Sequence, residues 1–166
     1  MADDKSVEQE VTSFSEVYDL FLSSISDDMF LEISEEDTTQ MMKELLLSAI
    51  PRFEYPHDKN LLEPDLVNEQ FNCKLDLQEM KILATYMAVE WIGQQLASIE
   101  NIRQKYSSSD FTFTSQANHL KQLVELKHKY ETEGQHLQRL YSRRKYSEKT
   151  GSYVPNFSSI MEPRKW

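Results

Sequence analysis

The stretch DLQEMKILATYMAVEWIGQQLASIENIRQK, residues 76–105, decides the fold. Asp76 with Glu79 three residues on has the spacing of a capping box, Asp replacing the usual Ser or Thr. Leu77, Met80, Leu83, Met87 and Trp91 then recur at helical spacing, and Ile82, Tyr86, Val89, Leu96 and Ile99 widen the apolar arc. This predicts a helix from about residue 77 to 105 whose middle is buried on more than one side. Gly93 inside it costs about 1 kcal/mol against Ala, and the expected compensation is close approach of another helix backbone.

Toward the C-terminus, DFTFTSQANH (residues 110–119) reads as a linker. Ser115 can cap a second long helix, about 116–146, carrying Leu120, Leu123, Val124, Tyr130, Leu137, Leu140 and Tyr141 at 3–4 spacing. A connection of about nine residues makes the two helices antiparallel neighbours. Phe111 and Phe113 share one side if the linker is extended. They either cap the end of their own hairpin or reach out to another surface.

Toward the N-terminus, Phe14, Val17, Leu20, Phe21 and Ile25 share a helical face, with Ser13 and Glu16 as a capping box. Ser34, followed by Glu35, Glu36 and Asp37, opens another helix, since acidic side chains suit its exposed N–H groups. Met41, Met42, Leu45, Leu46, Ala49 and Ile50 form its apolar band, and Pro51 ends it. Residues 51–75 hold three of the five prolines and predict an irregular connection, with Arg52 to Tyr55 as a short strand at most. The expected fold class is all-α, a small helical bundle on a long antiparallel helical hairpin. Residues 1–12 are expected as a mobile acidic leader, 13–146 as the bundle and 147–166 as an extended arm.

Composition agrees with helices. The 166 residues include only three glycines, too few for a hairpin-rich β fold. No run of eighteen apolar residues suggests a membrane span, and MADDKSVEQE lacks the apolar region of a secretory signal. The single cysteine, Cys73, excludes an internal disulfide framework and has no cationic cluster beside it in sequence. Residues 1–70 carry eighteen acidic and four basic side chains, while residues 71–166 are net basic by four. An acidic front and a mildly basic back suit head-to-tail contact between copies, a partner with complementary patches, or ordinary solvated faces.

Catalytic patterns are missing. The chain has no Gly-rich phosphate loop, HExxH or CxxC. Glu125 with His128, and Glu133 with His136, are both ExxH, the unit that di-iron bundles take from two different helices. Here both lie on one helix, separated by about 12 Å along its axis and about 80° around it, so they cannot share one centre. Glu90 beside Trp91 in an apolar run raises the question of a buried carboxylate with a shifted pKa, against the commoner outcomes of pairing with Arg or Lys or pointing outward. His57 and His119 read as surface residues. No catalytic residue, metal ligand or cofactor is expected. Arg139, Arg143, Arg144 and Lys145 form a basic end to the last helix, suited to the helix dipole, to docking on an acidic protein surface, or to nucleic acid.

The end of the chain loses its period yet keeps Tyr153, Val154, Phe157, Ile160, Met161 and Trp166. Disordered tails are poor in such residues, so this arm is expected to dock on a partner's surface. Residues 83–145, LATYMAVEWIGQQLASIENIRQKYSSSDFTFTSQANHLKQLVELKHKYETEGQHLQRLYSRRK, resemble the head–tail connector (adaptor or neck) proteins of tailed bacteriophages. So does YDLFLSSISDDMFLEISEEDTTQMMKELLLSAIPRF, residues 18–53. The resemblance implies a structural virion protein that catalyses nothing. It implies a dodecameric ring under the portal protein, extending the DNA channel toward a tail or stopper protein, with DNA passing unbound and no membrane involved. It places the protein in the virion neck, and in the host cytoplasm during assembly. On that reading Phe111 and Phe113 touch a neighbouring subunit or the portal. The alternative is a soluble cytoplasmic helical protein–protein interaction module.

Overall fold

The computed structural model describes residues 11–25, 35–54, 56, 57, 59–105 and 113–155. The described chain is mostly helical with two small antiparallel strand pairs, so the expectation of an all-α chain omits the strands. Strand β1 (Thr12–Ser13) leads directly into α1 (Phe14–Ser24). The capping box expected at Ser13 is present: its hydroxyl accepts from Ser15 N at 3.3 Å, and Ser13 N donates to Glu16 Oε1 at 3.2 Å. Helix α1 buries Phe14, Val17, Tyr18 and Phe21.

Helix α2 (Glu35–Ala49) tightens into a 3-10 turn at Ile50–Arg52, so Pro51 closes the α-helix without a break in the chain. Met42, Leu45, Leu46, Ala49 and Ile50 are buried, as the band predicted. Ser34 and Tyr55 lie outside the described residues. The strand allowed at residues 52–55 does not form over the part described; Phe53 instead turns into the core. Strand β2 (Gln70–Phe71), in the middle of the irregular connection, pairs with β1. The pairing sets the Phe14 and Phe71 rings edge to face with centroids 5.1 Å apart. Buried Thr12 extends the tie by accepting Leu75 N on its hydroxyl at 2.8 Å.

Helix α3 (Leu77–Lys105) has the predicted bounds. Every residue from Ile82 to Val89 is buried, because α1 and α2 pack on one part of its surface and α4 (Phe113–Ser142) on another. Contacts between α3 and α4 run in reversed order: Glu79 meets Tyr141, Tyr86 meets Gln138 and Gly134, and Gly93 faces Lys127. The backbone approach expected at Gly93 is not found; the tight contact lies at Gly134, against a side chain. A Cβ there would lie 2.9 Å from two ring carbons of Tyr86, whereas one at Gly93 would meet nothing nearer than 3.9 Å.

Helix α4 begins at Phe113, before the expected Ser115 cap, and ends at Ser142. Phe113 is therefore helical, and the side-sharing argued for an extended linker does not hold at that residue; Phe111 lies outside the described residues. Residues 144–146, expected to be helical, form β3 (Arg144–Ser147), which pairs with β4 (Ser152–Pro155). The arm expected from residue 147 therefore begins as the second half of a hairpin. Its turn is closed by Gly151, whose N–H donates to Ser147 O at 2.8 Å from a φ of 62°.

Candidate functional site

The first turn of α3 gathers the end of α4, the loop before α3 and the C-terminal hairpin. Asp76 caps α3 by accepting Gln78 N and Glu79 N on one carboxylate oxygen at 2.8 and 2.9 Å. Glu79 returns the bond, accepting Asp76 N at 2.6 Å. Glu79 is only 1% exposed. An uncompensated carboxylate there would cost several kcal/mol, but Lys59 supplies a cation and the Tyr141 hydroxyl donates to the second oxygen. Burial, and then the bond to Glu79, pushes the Tyr141 hydroxyl well above the ordinary phenol range. Burial also raises the nearby Cys73 thiol, with Lys59 pulling the other way.

Arg144 closes the same corner. Its guanidinium lies over the Tyr141 ring, 5.3 Å from the centroid, and bonds Asp76 Oδ2 at 2.6 Å and the Gln78 side chain. Burial pushes the Asp76 carboxyl up, but the helix N–H bonds and Arg144 outweigh it, and the group sits below the usual carboxylate range. Beside this corner the His57 ring lies between Tyr141, with centroids 4.4 Å apart, and Tyr153, stacked at 4.5 Å and 8°. Tyr146 completes the row edge-on to Tyr153.

The residues expected to dock on partners thus divide. Tyr153 stacks on its own chain, and Val154 sits half-buried opposite Lys145 in the hairpin. Phe157, Ile160, Met161 and Trp166 lie outside the described residues. Of the four basic residues, Arg144 is engaged internally, because the hairpin turns it back onto the α3 cap; Arg139, Arg143 and Lys145 are exposed. Glu90 pairs with Arg52, one of the outcomes weighed for it. His57, expected at the surface, is half-buried in the ring stack, and His119 is exposed. Glu125, His128 and His136 face solvent on α4, with Glu133 half-buried. Among the described residues no group of three or more metal-ligating side chains comes together.

A cleft of about 520 Å³ opens between the 3-10 turn and α4, lined by Arg52, Glu54, Tyr86, Glu131, Gln138 and Arg139 among others. Gln138 is fully used there: its amide nitrogen donates to Arg52 O at 3.0 Å and to the Tyr86 hydroxyl, and its oxygen accepts Glu54 N at 2.8 Å.

An exposed loop interrupts the irregular connection before β2. Residues 65–70 form a closed loop: Asp65 N donates to Gln70 O at 2.9 Å, and Gln70 N to Asp65 O at 3.1 Å. The Asp65 carboxylate accepts Val67 N and Asn68 N, each at 3.0 Å, and the Asn68 amide at 2.6 Å. Lys43 bonds Leu66 O at 3.1 Å and Glu69 Oε1 at 2.8 Å. The loop is firmly tied, yet its tip presents Val67 at 91% exposure and Leu66 at 48%. The signal available in the sequence was DLVN, an Asx-turn pattern interrupted by two apolar residues. Compared with protein families, curated proteins and solved structures, the chain matches none.

Proposed function

We propose that this protein is a structural component of a phage particle: a ring-forming head–tail connector that binds under the portal, extends the DNA channel and offers a platform to a tail or stopper protein. It acts by assembly and catalyses no reaction. Its fold is a helical bundle on the long antiparallel hairpin of α3 and α4. The observation that carries the reading is the likeness of residues 18–53 and 83–145 to such connectors, stretches that contain most of α1, all of α2, most of α3 and all of α4. The polar chemistry supports a protein that works through its surface. Glu79, Glu90, Asp76 and Arg144 are spent on joining elements, while the exposed features are an apolar loop tip and an exposed basic helix end.

Quantitative mass spectrometry of purified virions from a phage encoding this chain tests the proposal. Copies in a fixed ratio to the major capsid protein that corresponds to one ring per particle, retained in DNA-filled heads lacking tails, are expected. Absence from the particle overturns the connector role and leaves a helical interaction module of the cytoplasm.

A further inference from the structure

We infer that the Asp65–Gln70 loop is a preformed plug that seats on the C-terminal end of α4 in a second copy of this chain. The inference rests on the self-assembly contained in the function proposed above, and it names the two surfaces that meet. Surface loops usually place polar residues at their tips, and an apolar tip loses favourable free energy unless something covers it. Here the tip is fixed before any partner arrives, by the Asp65 carboxylate and by Lys43. A loop already ordered loses little conformational freedom on docking, which is what makes a small contact effective. Leu62, earlier in the same irregular segment, is also 70% exposed.

Charge selects the receiving surface. Around the tip stand the carboxylates of Glu63, Asp65 and Glu69, with Lys43 as the cation paired to Glu69. The complementary surface is apolar with a basic rim, and the chain carries one. At the end of α4, Leu140 is 47% exposed. Arg139 and Arg143, both exposed, lie within about 100° of it around the helix at ideal geometry. Both surfaces sit on the packed body and stand exposed among the described residues, and a second copy can bring its own α4 end to the loop tip. Contact between two different patches of identical copies is heterologous, the kind that propagates into a ring when the rotation closes.

Cysteine pairing tests this in a Cys73→Ser background. One population carries Val67→Cys and the other Leu140→Cys; they are mixed and oxidised. The expected product is the disulfide joining Val67→Cys of one copy to Leu140→Cys of another. It should form faster at low salt than at high salt, since the rim charges are exposed. Val67→Cys paired with itself, or no crosslink at concentrations where light scattering shows oligomers, overturns the inference. Sedimentation gives a second readout. Val67→Asp should weaken self-association by about tenfold or more, the loss of one anchoring contact, with an unchanged melting temperature because the side chain is solvated. Association indifferent to Val67→Asp, or a chain monomeric at every concentration, overturns the contact as well. Either failure leaves the particle count of the connector test unaffected.

Discussion

At the scale of single residues, Glu79 shows how one side chain can serve two purposes. Its helix-capping role follows from its spacing to Asp76, while its burial follows from Tyr141 and Lys59 arriving from 62 and 20 residues away. Glu79→Ala strands Lys59 and leaves the Tyr141 hydroxyl without its acceptor. The expected cost is about 3–5 kcal/mol, the range for removing one partner of a buried pair, read by urea unfolding. Tyr141→Phe removes only the donor and should cost about 1–3 kcal/mol. Asp76 adds a pH dependence. Its carboxyl is held below its ordinary 3.8 in the folded chain, so the unfolded chain takes up the proton more readily. The stability it contributes is present above that value and drains away as pH falls through the lower folded pKa. Melting temperatures between pH 6 and pH 2 should therefore fall less steeply for Asp76→Asn than for the parent chain. Equal slopes would remove Asp76 from the account.

At the scale of elements, the two helical glycines predict opposite signs. Gly93→Ala adds a methyl where nothing lies nearer than 3.9 Å, so helix propensity alone acts and the variant should gain about 0.5–1 kcal/mol. Gly134→Ala drives its methyl to 2.9 Å from the Tyr86 ring, which is itself held by Gln138. Overpacking of about 1–3 kcal/mol should outweigh the propensity gain. Thermal denaturation of the two variants side by side decides it, and stabilisation of both would mean that Tyr86 yields freely. The helices themselves were legible before the structure: α1 and α3 start at the predicted caps, because apolar period and capping chemistry are local properties. The end of α4 was not legible. Arg143 to Tyr146 is as compatible with a helix as with a strand, and only the pairing with Ser152–Pro155 and the grip of Arg144 on Asp76 favours the strand.

At the scale of the whole molecule, the chain is closed by ties between distant segments. Thr12 and Phe14 bind the segment before α3, and Tyr130 donates its hydroxyl to Ser24 O at 2.8 Å to fix the end of α1 on α4. Thr12→Val keeps the shape but leaves Leu75 N–H buried without its acceptor. It should cost about 1–3 kcal/mol, with faster hydrogen exchange at Leu75 and Phe71 as the local sign. The sequence by itself determined the course of the helices, the caps of α1 and α3 and the wide burial of α3, because these depend on residues three or four apart. It also determined the charge contrast between the two halves. Only the tertiary structure decided which glycine lets α3 and α4 approach, that two-residue strands join residues 12 and 71, that Arg144 is spent internally, and that Val67 stands uncovered. Each of those depends on which surfaces meet across tens of residues, and such meetings leave no period in the sequence.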